Sequence, residues 1–419
     1  MHLQVVIVGQ GSAGLPLAMR AVEVGHRVVG HDIDEGRVKR LLSGDSYVDH
    51  VPSDRLAAAL DTGRYLPTTD SQACENFDVA VITIPTPSSR GVPEWSLVES
   101  AAVTLARHLR PGATVVLEST TYPGTTDLLG TLLENHSGLA AGSQFHLGYS
   151  PQRVDPGNPE WNLVNIPKIV SGIDAASLVA VKDFYDGIVD KTVPVVGTRE
   201  AELAKLLETA FRHVNIALIN EIAIFAGHVG VDVWEAIEAA STKPSGFLPF
   251  KPGPGVGGES LSIDPSYLPS QARRNLGRSF RFVEVANDVN DRMPYYVVSR
   301  VMAAVNRQGL PMSRCRVLIL GLAYKRNVGD DRESPAVVIA EQLLALGADV
   351  RAADPHVVDQ HVDSRVRRVD ASPEELAAAD LVVLLTDHDA FDLGAVRTHG
   401  RFIFDTRHCL EAGENVEFL

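Results

Sequence analysis

A chain of 419 residues, 45% hydrophobic and 22% charged, is long enough for two or three domains that each bury a core. A net charge of −15 excludes a general binder of nucleic acid or of anionic membrane surface, yet one site lined by amides and a few lysines can still hold an anion. The three cysteines (Cys74, Cys315, Cys409) are odd in number and far apart, as in a reducing cytosol. The fourteen histidines show no ligand spacing, so no metal is expected. No apolar run reaches bilayer length and no leader precedes the first strand; the expected location is cytoplasmic, off the membrane.

Residues 3–8 (LQVVIV) form an apolar, β-branched run that meets a glycine turn. A helical pattern follows from Leu15 to Gly25, then a second strand, RVVGHDI, that ends in acid. Further strands are expected at 78–85 (DVAVITIP) and 113–120 (ATVVLEST), with helices between them, which predicts a parallel sheet covered on both faces. From about Glu200 the pattern AELAKLLETAFRHVNIALINEIAIFAGHVG keeps helical spacing without turn residues. That predicts one long helix, a spine between domains and a candidate contact with a second copy. A second helical stretch, 282–305, contains Pro294, where a kink or break is expected.

The opening grammar then returns: CRVLILGLAY (315–324) runs into a glycine turn, AVVIAEQLLALG (336–347) is helical, and DVRAADP (349–355) ends in acid. DLVVLLTD (380–387) and RFIFD (401–405) supply later strands. The expected fold class is α/β, two doubly wound Rossmann-like domains joined by a long central helix and an all-helical dimerisation region. The divisions fall at 1–198, 199–306 and 307–419.

Gly9-Gln10-Gly11-Ser12-Ala13-Gly14 is a GxGxxG turn between a strand and a helix, and Asp32 closes the next strand. The first two glycines allow a tight turn and let amides approach a pyrophosphate at a helix N-terminus; the third permits close helix–strand packing. Asp32 would accept from adenosine ribose hydroxyls and repel a 2′-phosphate, so NAD is expected over NADP, with Arg37 close by arguing the other way. The second turn, from Gly321 to Lys325, lacks the three-glycine pattern and is expected to serve another ligand.

Ordered blocks along nearly the whole chain carry a resemblance. They are VGQGSAGLPLA, ITIPTP, ESTTYPGTT, YSPQRVDPGN, AKLLETAFRHVNIALINE, PGPGVGG, GLAYK and RESPA, and together they resemble the UDP-glucose/GDP-mannose dehydrogenases. The resemblance implies an N-terminal NAD domain, a central helical dimerisation domain and a C-terminal nucleotide-sugar domain, in a homodimer joined through the central helix. It places Thr83, Pro85, Thr120 and Arg332 at the cofactor beside Gly9, Gly11, Ser12, Ala13, Gly14, Asp32 and Arg37. It places Gln152, Lys205, Phe250, Gly257 and Lys325 at the sugar nucleotide; Lys243 and Lys251 are further loop cations nearby, and Arg273, Arg274, Arg278 and Arg281 read as a solvated helix end.

Members of that family oxidise a primary alcohol twice, through an aldehyde that a cysteine thiolate traps and a thioester that water hydrolyses. Thr120, Lys205 and Asp264 match the groups that hold water and bind charge on the reacting oxygen. Three others depart from the pattern. The nucleophile's GGHC segment is GGES here, with Ser260 at the cysteine and Glu259 at the histidine; the glutamate of the family's SPER block is Gln152; the asparagine of its LEN segment is Thr209. A serine hydroxyl is a poor nucleophile without a base, whereas a thiol of pKa about 8.5 is partly ionised at neutral pH. All three losses fall on the covalent half of the reaction. The expected chemistry is transient oxidation of an alcohol on a sugar nucleotide or nucleoside, then epimerisation or dehydration with Glu259 as acid or base, then re-reduction. The rival readings are a two-electron or full Ser260-dependent dehydrogenase and a non-catalytic NAD-binding sensor.

Overall fold

The computed structural model describes residues 2–86, 88–89, 92–258, 267–269, 272–273, 277–358 and 361–419. Glu259, Ser260, Asp264 and Arg274 lie outside the described residues. The chain forms two compact units, Met1–Glu208 and Thr209–Leu419, and the boundary falls inside one helix, Thr198–Val229.

In the first unit, strands Gln4–Val8, Arg27–His31, Tyr65–Thr68, Val79–Ile82, Thr114–Leu117, His146–Tyr149, Lys168–Gly172 and Thr192–Val195 build one sheet. Val5 and Ile7 of the first strand enter the core on one face, Val6 and Val8 the core on the other, which is why the run is apolar throughout. The chain leaves that strand toward Arg27–His31 on one side and returns on the other as Val79–Ile82. The glycine turn therefore sits at the switch point of the sheet, where doubly wound folds open a crevice for ligands.

The sheet is not wholly parallel. His146–Tyr149 and Lys168–Gly172 pair antiparallel, Tyr149 opposite Ser171. Residues 150–167 between them contain no helix, and without a crossover the returning strand can only run back. Four short strands, at 65–68, 146–149, 168–172 and 192–195, carried no signal strong enough to single out in advance.

The second unit has a six-stranded sheet, all parallel, with Arg316–Leu320 between Asp349–Ala353 and Leu381–Leu384. The helix Arg281–Arg307 runs through Pro294 unbroken, so of the kink or break expected there the break does not occur. Proline supplies no N–H to the carbonyl four residues back, and that carbonyl, on Asn290, lies beside Gly255 instead. No described helix is long and apolar enough to cross a membrane.

The Thr198–Val229 helix buries a polar stripe beside Leu206, Ile219 and several alanines, and carries large apolar side chains outward. Glu202, Lys205, Thr209, His213 and Asn220 fall on one face by helical spacing and are buried. Leu203, Leu207, Phe211, Leu218, Ile222, Phe225 and Val229 follow the opposite face and are exposed, Leu207 at 64% and Phe225 at 66%.

Candidate active site

The glycine turn meets every demand of a dinucleotide cradle. Gly9 has φ +93°. A Cβ on Gly14 would lie 1.8 Å from the Gly9 carbonyl, so only glycine lets the helix start this close to the strand. A Cβ on Gly11 would meet nothing within 4 Å: the space above that amide is open. Asp32 is buried, and its carboxylate accepts the Gln10 amide at 2.8 Å and the Asp34 amide at 3.0 Å. Arg37 stands 3.7 Å from Asp32 and over the Tyr47 ring. Ser12 is exposed, Ala13 and Gly11 half-buried, and Pro85 is exposed just past the strand end.

Thr83 does something other than face solvent. Its hydroxyl lies 3.0 Å from the Val8 carbonyl and 2.9 Å from that of Gly9, which fastens the glycine turn. Gln10, also unforeseen, is fully buried: its amide nitrogen donates to Ile7 and its oxygen accepts the Tyr65 hydroxyl at 2.7 Å. The Tyr47 hydroxyl donates to the Gln10 carbonyl.

Past the strand Thr114–Leu117, Thr120 is half-buried and the Thr86 hydroxyl donates to its carbonyl at 2.8 Å. The neighbouring Thr121 hydroxyl is buried with no hydrogen-bond partner among the described residues. Gln152 turns its amide oxygen back onto its own loop, accepting from Arg153 N–H at 2.7 Å and Val154 N–H at 3.0 Å. Arg153 in turn grips Glu208 on the long helix and the Pro167 carbonyl. Under that loop Lys168, 1% exposed, pairs with Glu118 at 2.7 Å and reaches the Pro151 carbonyl at 3.3 Å; the Tyr185 hydroxyl donates to the same carboxylate. Burial pushes the Lys168 ammonium below its ordinary pKa and Glu118 opposes that, while burial beside Glu118 raises the Tyr185 phenol. No motif signalled these three residues, because the partners lie 50 and 67 positions apart.

Lys205 and Thr209 are buried one turn apart on the long helix. In the second unit the glycine loop 253–258 is pinned to both long helices. Asn220 accepts the Gly253 amide at 3.0 Å and donates to Asn290 at 3.0 Å. A Cβ on Gly257 would lie 2.6 Å from the Glu333 carbonyl and 2.7 Å from Tyr324, and Gly258 N–H donates to the Arg332 carbonyl. Arg332 forks onto Asp330, Lys325 is half-buried in the second glycine turn, and Phe250 meets Phe211 edge-on at 6.0 Å. Arg407, not singled out beforehand, donates to the Leu385 carbonyl and lies against Gly253. Lys243 and Lys251 are exposed, and Arg273 pairs with Glu284 at the surface.

Residues 3–189 match the UDP-glucose/GDP-mannose dehydrogenase family's NAD binding domain, 199–292 its central domain and 318–412 its UDP binding domain. The chain belongs to that family. It is 34% identical over 390 residues to the UDP-N-acetyl-D-mannosamine dehydrogenase of Pyrococcus horikoshii, covering 93% of this chain and 90% of that one. It is 33% identical to the UDP-N-acetyl-D-glucosamine 6-dehydrogenase of Pseudomonas aeruginosa, over 98% and 97% of the two chains. The solved structure of the P. horikoshii UDP-D-ManNAc dehydrogenase matches 99% of this chain and 98% of its own with a TM-score of 0.89 at 32% identity. The chain is thus an enzyme of a nucleotide-sugar dehydrogenase family with NAD as cofactor, and its UDP binding domain implies a nucleotide-sugar substrate. The open space at Gly11, the tight fit at Gly14 and the buried acid at Asp32 suit that cofactor. When bound, NAD supplies a hydride acceptor at its nicotinamide.

Proposed function

We propose that this enzyme oxidises an alcohol of a nucleotide sugar only transiently. NAD held at the glycine turn and Asp32 would supply the hydride acceptor for the carbinol carbon, and the hydroxyl proton would pass toward Lys205, Asp264 and Thr120. The carbonyl so formed acidifies the adjacent C–H, and Glu259 removes that proton. The proton returns from Glu259 on the other face, or goes out with a β-hydroxyl as water; re-reduction of the carbonyl would then leave no net consumption of NAD. In the second unit, Lys325 and Arg407 supply cations for the diphosphate, Gly257 close backbone approach and Phe250 an apolar wall.

The observation that carries this reading is Gln152. Its acceptor is engaged by two amides of its own loop, and an amide takes no proton at neutral pH, so the glutamate-assisted acyl chemistry of the family has no counterpart there. With Ser260 at the nucleophile position, thioester formation is absent as well. The relatives are named dehydrogenases, which favours a second reading, net oxidation; in this chain it would reach the acid through a Ser260 ester. Burial of Lys205 on one helix face with Glu202 and Thr209 speaks against a ligand sensor, which needs no buried lysine there.

The deciding experiment incubates the protein and NAD with UDP-, GDP- and TDP-hexoses, their 2-acetamido forms and free nucleosides in deuterated water. Deuterium uptake or loss of water without NADH supports transient oxidation. A product heavier by the alcohol-to-acid change, with two NADH per turnover, replaces that reading with the Ser260-dependent one.

We also propose a homodimer through the exposed apolar face of the Thr198–Val229 helix, with three functional sections at 1–198, 199–306 and 307–419. A stripe of seven exposed large apolar side chains is what a second copy would bury.

A further inference from the structure

We propose that Glu202 is a positioning residue for the hydride step: from the long helix it caps a second helix in trans, and so holds the Thr120 segment in register with Lys205. The proposal rests on the reading above only for the roles of Thr120 and Lys205.

The helix Thr125–Ser137 opens after Gly124, which has φ +99° and no side chain to satisfy the first amides. Where other described helices are capped by the side chain of the preceding residue, the cap is local: Asp34, Asp174, Asp232, Ser334, Ser372 or Asp392. Here the acceptor comes from 78 residues away. Glu202 Oε2 takes the Gly124 amide at 2.6 Å, and Oε1 takes both the Thr126 amide at 2.8 Å and the Thr126 hydroxyl at 2.6 Å. The side chain is fully buried, so these donors and the positive helix end replace water around the carboxylate. Burial pushes its carboxyl up, and the Thr126 and Gly124 bonds oppose that.

One turn earlier Arg199 pairs with Asp127 at 2.7 Å, so the two helices are clasped at two points. The segment between is short. Thr120 is held at its carbonyl by Thr86 and Gly124 at its amide by Glu202, and between them the buried Thr121 hydroxyl has no hydrogen-bond partner among the described residues. Lys205 follows Glu202 by three residues on the same helix, so moving one anchor moves Thr120 relative to Lys205. Reacting groups misplaced by about 1 Å lose on the order of 100-fold in rate.

The variants are Glu202→Gln, Thr126→Val and Thr126→Ser, in the full chain. In Glu202→Gln one acceptor is replaced by a donor facing donors, so kcat falls about 10- to 100-fold while KM and NAD affinity change less than about twofold. Thr126→Val shows a smaller loss in the same direction, and Thr126→Ser, which keeps the hydroxyl, restores wild-type kcat. Amide hydrogen exchange gives a readout apart from turnover: NAD slows exchange across 120–126 in the wild-type protein and fails to do so in Glu202→Gln. Undiminished protection of that segment, or a lower Tm with unchanged kcat, overturns the proposal and leaves Glu202 a structural cap. A wild-type protein that converts no nucleotide sugar overturns the proposed function instead, and the exchange comparison still decides Glu202.

Discussion

Asp32 and Asp354 each end the second strand of a sheet and accept amides from the glycine turn beside it, but only Asp354 is saturated. Asp354 binds the amides of Leu322, Ala323, His356 and Val357 and the fully buried His388 ring at 3.1 Å. Burial alone would raise its carboxyl; His388 and the amides outweigh that and hold it well below the usual range. Asp32 accepts two amides and otherwise faces Arg37 at 3.7 Å, which leaves lone pairs for a ribose. Asp32→Ala is therefore expected to weaken NAD binding about 10- to 100-fold, the loss of a hydrogen bond to a charged group, and to narrow the preference over NADP. Asp354→Asn lowers Tm and leaves NAD affinity unchanged. Titration calorimetry beside thermal melts separates the two.

The glycine turn predicts a contrast between neighbours. Gly14→Ala drives a methyl into the Gly9 carbonyl, so the first unit loses both stability and cofactor. Gly11→Ala meets open space, so Tm stays near wild type while NAD affinity falls, because the methyl occupies room the pyrophosphate needs. Equal Tm losses for both variants would refute this division of roles.

The Lys168–Glu118 pair is enclosed enough that breaking it should hurt more than removing it. Lys168→Met leaves a carboxylate in apolar surroundings and is expected to destabilise by about 3–5 kcal/mol. Lys168→Met with Glu118→Leu should recover much of that in urea melts, since neither charge then needs a partner.

Buried and half-buried histidines are expected to lower stability in acid. Burial lowers the pKa of His26, His31, His50 and His213 in the folded chain. The unfolded chain then takes up protons first, so stability is full above about pH 6.5 and falls as pH drops toward each folded value. Melting temperatures from pH 7.5 to 5 should show that decline, and His213→Gln should flatten part of it. A Tm that rises through that window contradicts the assignment.

The exposed apolar stripe of the long helix predicts assembly. Leu207→Glu with Phe225→Glu should convert the protein to a monomer in sedimentation without loss of helix content, since both side chains are exposed in one copy. A dimer that persists in this variant places the contact elsewhere.

Much of the fold was legible because its signals are local. The runs QVVIV and RVLIL show strands buried on both faces, and three glycines followed by Asp32 show a dinucleotide turn, all within a few tens of residues. The Thr198–Val229 helix was legible in the same way. The break expected at Pro294 does not occur because proline's local penalty is offset by packing, with Met293, Pro294, Val297 and Val298 all buried. The strand Lys168–Gly172 gave no hint of its direction, which depends on whether the preceding connection crosses over.

By itself the sequence determined the family, the NAD cradle and the substitutions at Gln152, Thr209 and Ser260, since each is a residue type at a fixed place in an ordered motif. Only the tertiary structure decided that Glu202 caps the Thr125–Ser137 helix, that Lys168 underpins the Gln152 loop, and that Thr83 holds the glycine turn. Those partners are separated by 17 to 76 positions. Spacing along a chain records which residues share a helix face or a strand, whereas a buried carboxylate finds its donors only when packing has excluded water and left no other acceptor in reach.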